Sequence, residues 1–258
     1  HGTYKDIGVK LEGHVGEIEI RKPPLNFFDN ALINQIADAL EAFDRDAKCR
    51  AVVLCAQGKA FCAGADFANR PETGNAGESG KHLYKEAVRI FRSRKPIVGA
   101  IQGAAIGGGL GLALTADFRV TCPEARFSAN FNRLGFHPGF GLTLTLPRLV
   151  GIQKAQLLFF TGRRIPGDEA VKIGLADVLV DSVDAVRKGA HDLATEIAQS
   201  GPLSVQSTRE TVRRGLADAI EQATERELME QEWQRKTADF KEGVKATAER
   251  RLPNFQGK

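Results

Sequence analysis

Apolar and polar residues alternate through Val9-Lys10-Leu11 and Val15-Gly16-Glu17-Ile18-Glu19-Ile20, on either side of Gly13, and this period of two predicts an antiparallel hairpin. Beyond the Pro23-Pro24 turn the period lengthens. Leu32, Ile33, Ile36, Ala39, Leu40 and Phe43 recur at helical spacing behind Asp29 or Asn30 as cap, which predicts a helix ending near Ala47. Ala51-Val52-Val53-Leu54-Cys55 is apolar at every position, the pattern of a strand covered on both faces. From Gln57 to Gly80 there are six Gly and Pro residues and no periodicity after Phe67, so a long loop is expected, and loops of that length usually carry function. A helix over roughly 79–93 and a buried strand over Pro96–Ile101 follow.

The next segment, Gly103-Ala104-Ala105-Ile106-Gly107-Gly108-Gly109-Leu110-Gly111, leads into apolar Leu112-Ala113-Leu114 and reads as a strand-to-helix joint. Each glycine inside a helix costs ~1 kcal/mol relative to alanine, so the run requires bare backbone. At such a joint the first N–H groups of the helix lack internal partners, and an anionic oxygen can sit on them. Close packing of the joint is the competing explanation of the same glycines. Phe118-Arg119-Val120-Thr121 and Ala125-Arg126-Phe127-Ser128 read as short strands.

This alternation predicts a layered α/β core. Later the pattern becomes purely helical, over Val183–Ala198, Leu203–Leu216 and Ala219–Phe240, with Gly201-Pro202 as punctuation. The expected division is an α/β core over residues 1–200 and a helical region over 201–258. Helices without strands of their own bury their faces on the core or on a partner subunit, and homo-oligomerisation is expected.

Composition removes several classes of function. The net charge of +4, with a single Trp and two Tyr, is weak for nucleic acid and provides no base-stacking platform. No apolar run reaches membrane-spanning length. Cys49, Cys55, Cys62 and Cys122 form no C-x-x-C pair, and no signal pattern opens the chain at His1, so a reduced, cytoplasmic setting is expected. The histidines, His1, His14, His82, His137 and His191, are dispersed and never fall four apart, so no metal site is expected. No G-x-G-x-x-G, G-x-x-x-x-G-K-[ST] or G-x-S-x-G occurs, which removes the usual anchors of dinucleotide, P-loop and serine-hydrolase readings.

Lys59-Ala60-Phe61-Cys62-Ala63-Gly64-Ala65-Asp66, Lys95 through Gly103, and Gly107-Gly108-Gly109 with Asp117 together resemble the crotonase superfamily, that is, the enoyl-CoA hydratases and isomerases. The likeness continues through Thr161-Gly162-Arg163-Arg164-Ile165, Ala170 to Ala176, Glu242-Gly243 and Glu249-Arg250-Arg251. The resemblance implies a repeated ββα spiral core with a helical C-terminal region that packs in trimers, often paired into hexamers. It also implies an acyl-CoA thioester as ligand, with coenzyme A as part of the substrate and no further cofactor, as in fatty acid metabolism. In the family the thioester oxygen lies between two backbone N–H groups, which map onto Ala65 and Gly108. Fixed donors suit charge developing on that oxygen, and losing one typically costs ~3 to 4 kcal/mol.

The departures from the family matter equally. Hydratases place glutamates at the positions of Gly111 and Phe131, and neither residue here transfers a proton. The Gly-Gly-Gly-Leu-Gly run looks like the 4-chlorobenzoyl-CoA dehalogenase branch, but its aspartate nucleophile falls at Gly139. In Leu134 to Gly141, His137 is the one titratable side chain and a candidate acid or base, against the alternative of tying down a Gly/Pro turn. The expected site is thus Ala65, Gly108 and His137 as catalytic groups, with Ala63, Asp66, Tyr84, Phe131 and Gly139 against the substrate. Cys62 is read as a packed small residue, and Arg250 and Arg251 as candidate partners for CoA phosphates. Three functions follow: a hydratase/isomerase-type enzyme stabilising a thioester enolate, a thioester or carbon–carbon bond hydrolase using His137, or an acyl-CoA-binding protein without turnover.

Overall fold

Ile7–Glu12 (β1) and Val15–Ile20 (β2) form the expected hairpin, with Ile7 opposite Ile20 and Glu12 opposite Val15, in a computed structural model that describes residues 2–69 and 82–258. Asn30–Arg45 (α1) starts on Asp29, whose side chain accepts the Leu32 N–H at 2.9 Å, and buries the apolar stripe from Leu32 to Phe43. Ala51–Ala56 (β3), Ile97–Ile101 (β4), Phe118–Thr121 (β6) and Val178–Leu179 (β9) extend the hairpin into a six-stranded sheet of order β1-β2-β3-β4-β6-β9, parallel except for β1 with β2. Every residue of β3 and β4 is buried, which is why both read as unbroken apolar runs.

A second sheet lies beside the first. Ala104–Ile106 (β5), Arg126–Ser128 (β7) and Ile165–Pro166 (β8) pair in the order β5-β7-β8, and Cys62 joins Ala105 through an isolated parallel bridge. Each turn of the chain therefore gives one strand to each sheet: β3 then Cys62, β4 then β5, β6 then β7. The first two turns close with a helix, Leu83–Phe91 (α2) and Gly108–Ala113 (α3). This is the ββα spiral. The glycine joint consequently follows β5, not the β4 run that precedes it in the sequence reading, because three residues too short to show a period are fixed by ladder bonds to β7.

Leu142–Val150 (α4), Ile152–Thr161 (α5) and Gly167–Lys172 (α6) precede Val183–Ala198 (α7), which packs across β3, β4 and β6. Pro202–Val212 (α8), Leu216–Gln234 (α9) and Ala238–Ala248 (α10) complete the chain. The single helix expected over Ala219–Phe240 is two. Thr237 breaks it by accepting the Phe240 N–H at 3.0 Å, a cap with no Gly or Pro nearby to announce it. The first residues of the helix expected from 79, and the part of the long loop from residue 70 on, lie outside the described residues.

Two buried ionic groups fix helices near the glycine joint. Arg119, 1% exposed, donates to the carbonyls of Ala116 and Leu175 at 2.7 Å each, which ties the end of α3 to the segment after α6. Glu227 of α9 accepts the N–H groups of Gly141 (2.8 Å) and Thr143 (3.1 Å) and the Thr143 hydroxyl (2.6 Å), and so caps α4 from another element.

Candidate active site

The segment after β3 is sewn to β5. Phe61 and Cys62 N–H donate to the Ala104 carbonyl at 3.0 and 2.9 Å, and Ile106 N–H donates back to Cys62 at 3.1 Å. Buried amides hold the bend before it. Asn26 Nδ2 donates to the carbonyls of Gln57 and Ala60, and Gln102 Nε2 to those of Gly58 and Ala60, so polar backbone inside the core is satisfied. Gly64 (φ +87°) and Gly107 (φ +59°) then turn the two chains away in conformations that side chains disfavour. Backbone approaches so closely here that a Cβ on Gly109 would lie 1.9 Å from the Cys62 carbonyl oxygen.

Two donors remain. Gly107 N–H donates to Ser128 at 2.8 Å, while the N–H groups of Leu110 and Gly111 close on the Gly107 carbonyl. The Ala65 N–H, and the Gly108 N–H at the first position of α3, have no acceptor among the described residues. Ala65 and Gly108 line one cavity of about 460 Å³. A larger cleft of about 650 Å³ lies at the other end of β4, but it contains none of the expected residues, and its Arg209 and Arg213 both bind Asp117 at 3.0 Å.

Ala63, Asp66, Tyr84 and Phe131 share the cavity wall with Ala65 and Gly108. His137 and Gly139 do not line it. His137 is bound as part of a turn: its N–H donates to Gln234 Oε1 at 2.5 Å, its carbonyl accepts from Gln231 at 2.9 Å, and Nδ1 donates to the Pro138 carbonyl at 2.7 Å. The space beside Gly139 is filled by neighbours, since a Cβ there would meet the Tyr84 hydroxyl at 1.9 Å and Gln231 Nε2 at 2.5 Å. Gly111 has no room either, its Cβ position being 2.6 Å from the Phe140 side chain. Phe131 is buried and packs on Phe136 with ring centroids 5.4 Å apart. Neither position presents a carboxylate.

Burial pushes the Tyr84 hydroxyl above its usual range, and Gln231 Nε2 donates to it at 3.1 Å. Cys62 is fully buried and its thiol is pushed up to about 12 by that burial, as befits packing and not nucleophilic attack. Asp66 is the one carboxylate on the cavity wall among the described residues; it accepts from Asn69 N–H and Nδ2 at 3.2 Å each.

Among the lining residues that the sequence reading missed are two nitrogen-bearing side chains, His82 and Arg235. His82 accepts the Tyr84 N–H on Nδ1 at 3.1 Å and so caps α2; burial, with the Arg235 charge adding to it, pushes its imidazole down to about 4. A histidine immediately before the first apolar residue of a helical pattern was the available signal. Arg235, past the end of α9, lies 5.6, 5.2 and 5.7 Å from the ring centroids of Phe67, Phe136 and Phe240. No local pattern announces it, because its neighbours come from three distant segments.

Among the described residues, Glu17, Glu19 and Cys55 place ligand atoms within 4.8 Å of one another. Those carboxylates are already engaged: Glu17 with His191 at 2.5 Å, and Glu19 with Arg21 at 2.6 Å and Arg187 at 2.5 Å. The group is an ion-pair network on β2. No helix among the described residues is long and apolar enough to cross a membrane.

The sequence profile of the enoyl-CoA hydratase/isomerase family matches residues 10–258. The chain is 31% identical to the crotonyl-CoA hydratase of Syntrophomonas wolfei, over 99% of this chain and 100% of that one. Its fold is similar to the crystal structures of an enoyl-CoA hydratase/isomerase from Pseudoalteromonas atlantica (TM-score 0.87, 31% identity, 98% and 100% coverage) and of carnitinyl-CoA hydratase from Mycobacterium avium (TM-score 0.86, 31% identity, 99% and 100% coverage). With a profile spanning nearly the whole chain and full-length relatives at this identity, the chain belongs to the enoyl-CoA hydratase/isomerase family.

Proposed function

We propose that this hydratase/isomerase-type enzyme holds the carbonyl oxygen of an acyl-CoA thioester between the N–H groups of Ala65 and Gly108 and so stabilises the enolate that forms when the α-carbon loses a proton and is consumed when that carbon regains one. The observation that carries the reading is that the Ala65 and Gly108 N–H groups, both on the wall of one cavity, have no acceptor among the described residues. Such donors need no reorganisation as charge develops, which is where fixed dipoles contribute most. The two-glutamate hydration route lacks its side chains at Gly111 and Phe131. Asp66, next to the first donor, is the carboxylate that carries the proton in this reading. The reaction written this way needs no cofactor beyond the CoA of the substrate. Titration calorimetry and turnover assays with a panel of acyl-CoA thioesters test it; a folded protein that neither binds nor converts any of them refutes the reading.

Gly111 and Phe131 also favour a second reading, an acyl-CoA-binding protein without turnover. Turnover that disappears when the Gly108 donor is removed would eliminate it. The hydrolase reading through His137 has no support from the site, since His137 does not line the cavity. We further propose a homotrimer, or a hexamer of two trimers, covering Ile152, Leu157 and Phe160 of α5, which are exposed as large apolar side chains. Sedimentation velocity checks this. The four free, buried cysteines suit the reducing cytoplasm proposed as its location.

A further inference from the structure

The side-chain amide of Asn130 ends at the glycine joint with no hydrogen-bond partner among the described residues. Its place is set by the second sheet. β7 closes with Ser128, which stands in register with Ile106 of β5, accepts the Gly107 N–H at 2.8 Å and donates its hydroxyl to the Gly162 carbonyl at 3.0 Å. Two residues later Asn130 opens a short helical turn, Asn130–Leu134, in which Phe131 packs on Phe136. Asn130 Oδ1 comes so near the joint that a Cβ on Gly107 would lie 3.1 Å from it, and Gly107, Gly108 and Asn130 all line the cavity.

The other polar side chains on that wall, among the described residues, are Asp66, His82, Tyr84, Arg164, Arg235 and Thr247. Asp66 accepts from Asn69, Tyr84 accepts from Gln231, His82 Nδ1 caps α2, and Arg235 is packed among three phenylalanine rings. Arg164 and Thr247 are exposed. Asn130 is half-buried, so a ligand that fills the cavity takes its amide out of contact with water. An amide left unpaired by that step weakens binding roughly tenfold, whereas a hydroxyl on the ligand, which both donates and accepts, pairs with either end of it. At neutral pH an amide neither gives nor takes a proton, so the hydroxyl it holds is not the group that reacts.

We infer that the acyl chain this site selects carries a hydroxyl close to the thioester, recognised by the Asn130 amide and left in place by the reaction, so that the substrate class is a hydroxyacyl-CoA and Asn130 determines specificity for it. The inference rests on the thioester reading above, in which the carbonyl oxygen sits on the Gly108 N–H, next along the chain from Gly107. The same ligand holds one other source of oxygen for the amide, the pantetheine arm of CoA, and the experiment separates the two.

Calorimetry compares 2-, 3- and 4-hydroxybutyryl-CoA, in both enantiomers where these exist, each with the thioester that has methyl in place of hydroxyl, together with free CoA. Mass spectrometry of the acyl group records whether the hydroxyl survives. The expected result is at least one pair in which the hydroxylated thioester binds about tenfold more tightly than its methyl partner and keeps its hydroxyl. In Asn130→Leu, similar in size but without hydrogen-bonding atoms, that ratio should fall to within about twofold of unity. Thermal melts establish folding, and Asn130→Ala carries the same comparison if Asn130→Leu does not fold. Absence of a hydroxyl preference in every pair overturns the inference, and so does a preference that survives the substitution, which gives the hydroxyl to another group on the wall. A preference confined to 3-hydroxybutyryl-CoA, with its hydroxyl lost as water, also overturns it. Equal weakening of free CoA and of every thioester by Asn130→Leu overturns it too and assigns the amide to the pantetheine arm. Failure of every thioester to bind is a separate pattern, in which the thioester reading falls and takes this inference with it.

Discussion

Gly107-Gly108-Gly109 and the Gly135–Gly141 segment look alike as glycine-rich stretches next to helices, yet they are put to opposite uses. Around the first, backbone presses on backbone, at the Cys62 carbonyl and at Gly64, and the N–H of Gly108 is left facing a cavity. Around the second, side chains occupy the room the glycines leave: the Tyr84 hydroxyl and Gln231 fill the space at Gly139, and Glu227 takes up the Gly141 N–H. Glycine frequency is the same signal in both cases. What differs is whether a neighbouring side chain has claimed the donors.

The largest effect should come from Gly109→Ala. Its Cβ would lie 1.9 Å from a carbonyl held by the β5 ladder, which cannot move aside, so a loss of ~3 kcal/mol or more and a collapsed melting temperature are expected. Gly139→Ala, whose Cβ meets side-chain ends, should cost less in the same melt, and equal losses would break the comparison. Next in size is Gly108→Pro, which removes the N–H at a first helical position where proline is otherwise tolerated; turnover should fall by roughly 10²–10³-fold. Gly108→Ala is the control, because it introduces the same Cβ toward Phe28 and keeps the donor. Asp66→Asn, assayed in turnover with binding measured separately, should lose on the order of 10²-fold or more in rate with little change in affinity.

The second segment is open to a pH test. Burial holds the Glu227 carboxyl up at about 7, above its ordinary 4.5, so between those values the folded chain keeps a proton that the unfolded chain has released. Its contribution is therefore fully present below about pH 4.5 and is lost as pH rises to about 7, by roughly 3 kcal/mol. Urea unfolding of the native chain and of Glu227→Gln across this interval measures the difference; parallel curves would show that Glu227 does not govern the α4 cap. The smallest effect is expected for His137→Ala, with turnover within about threefold of the native value, since among the described residues the ring's hydrogen bond goes to its own turn. A loss of 10²-fold would move the side-chain chemistry to the second segment.

Much of the central architecture was legible. Strong periodicity marks β1, β2, α1 and β3, and α7 runs over the expected Val183–Ala198, because these elements bury one face or both against the sheet. The second sheet was illegible for a physical reason: Ala104–Ile106 and Ile165–Pro166 are too short to show a pattern, and pairing partners 20 or more residues away make them strands. At the site, the family resemblance singled out Ala65 and Gly108, and both line the cavity. His82 and Arg235 were not singled out, because what places them is the packing of α2 against α9 and the meeting of Phe67, Phe136 and Phe240.

The ladder bonds between Phe61-Cys62 and Ala104–Ile106 bear on how such a protein changes over generations. The spacing of the two donors is a property of the scaffold, indifferent to which side chains decorate the rest of the wall. Lining residues can then be exchanged one at a time while the spacing of the Ala65 and Gly108 N–H groups stays as the ladder sets it.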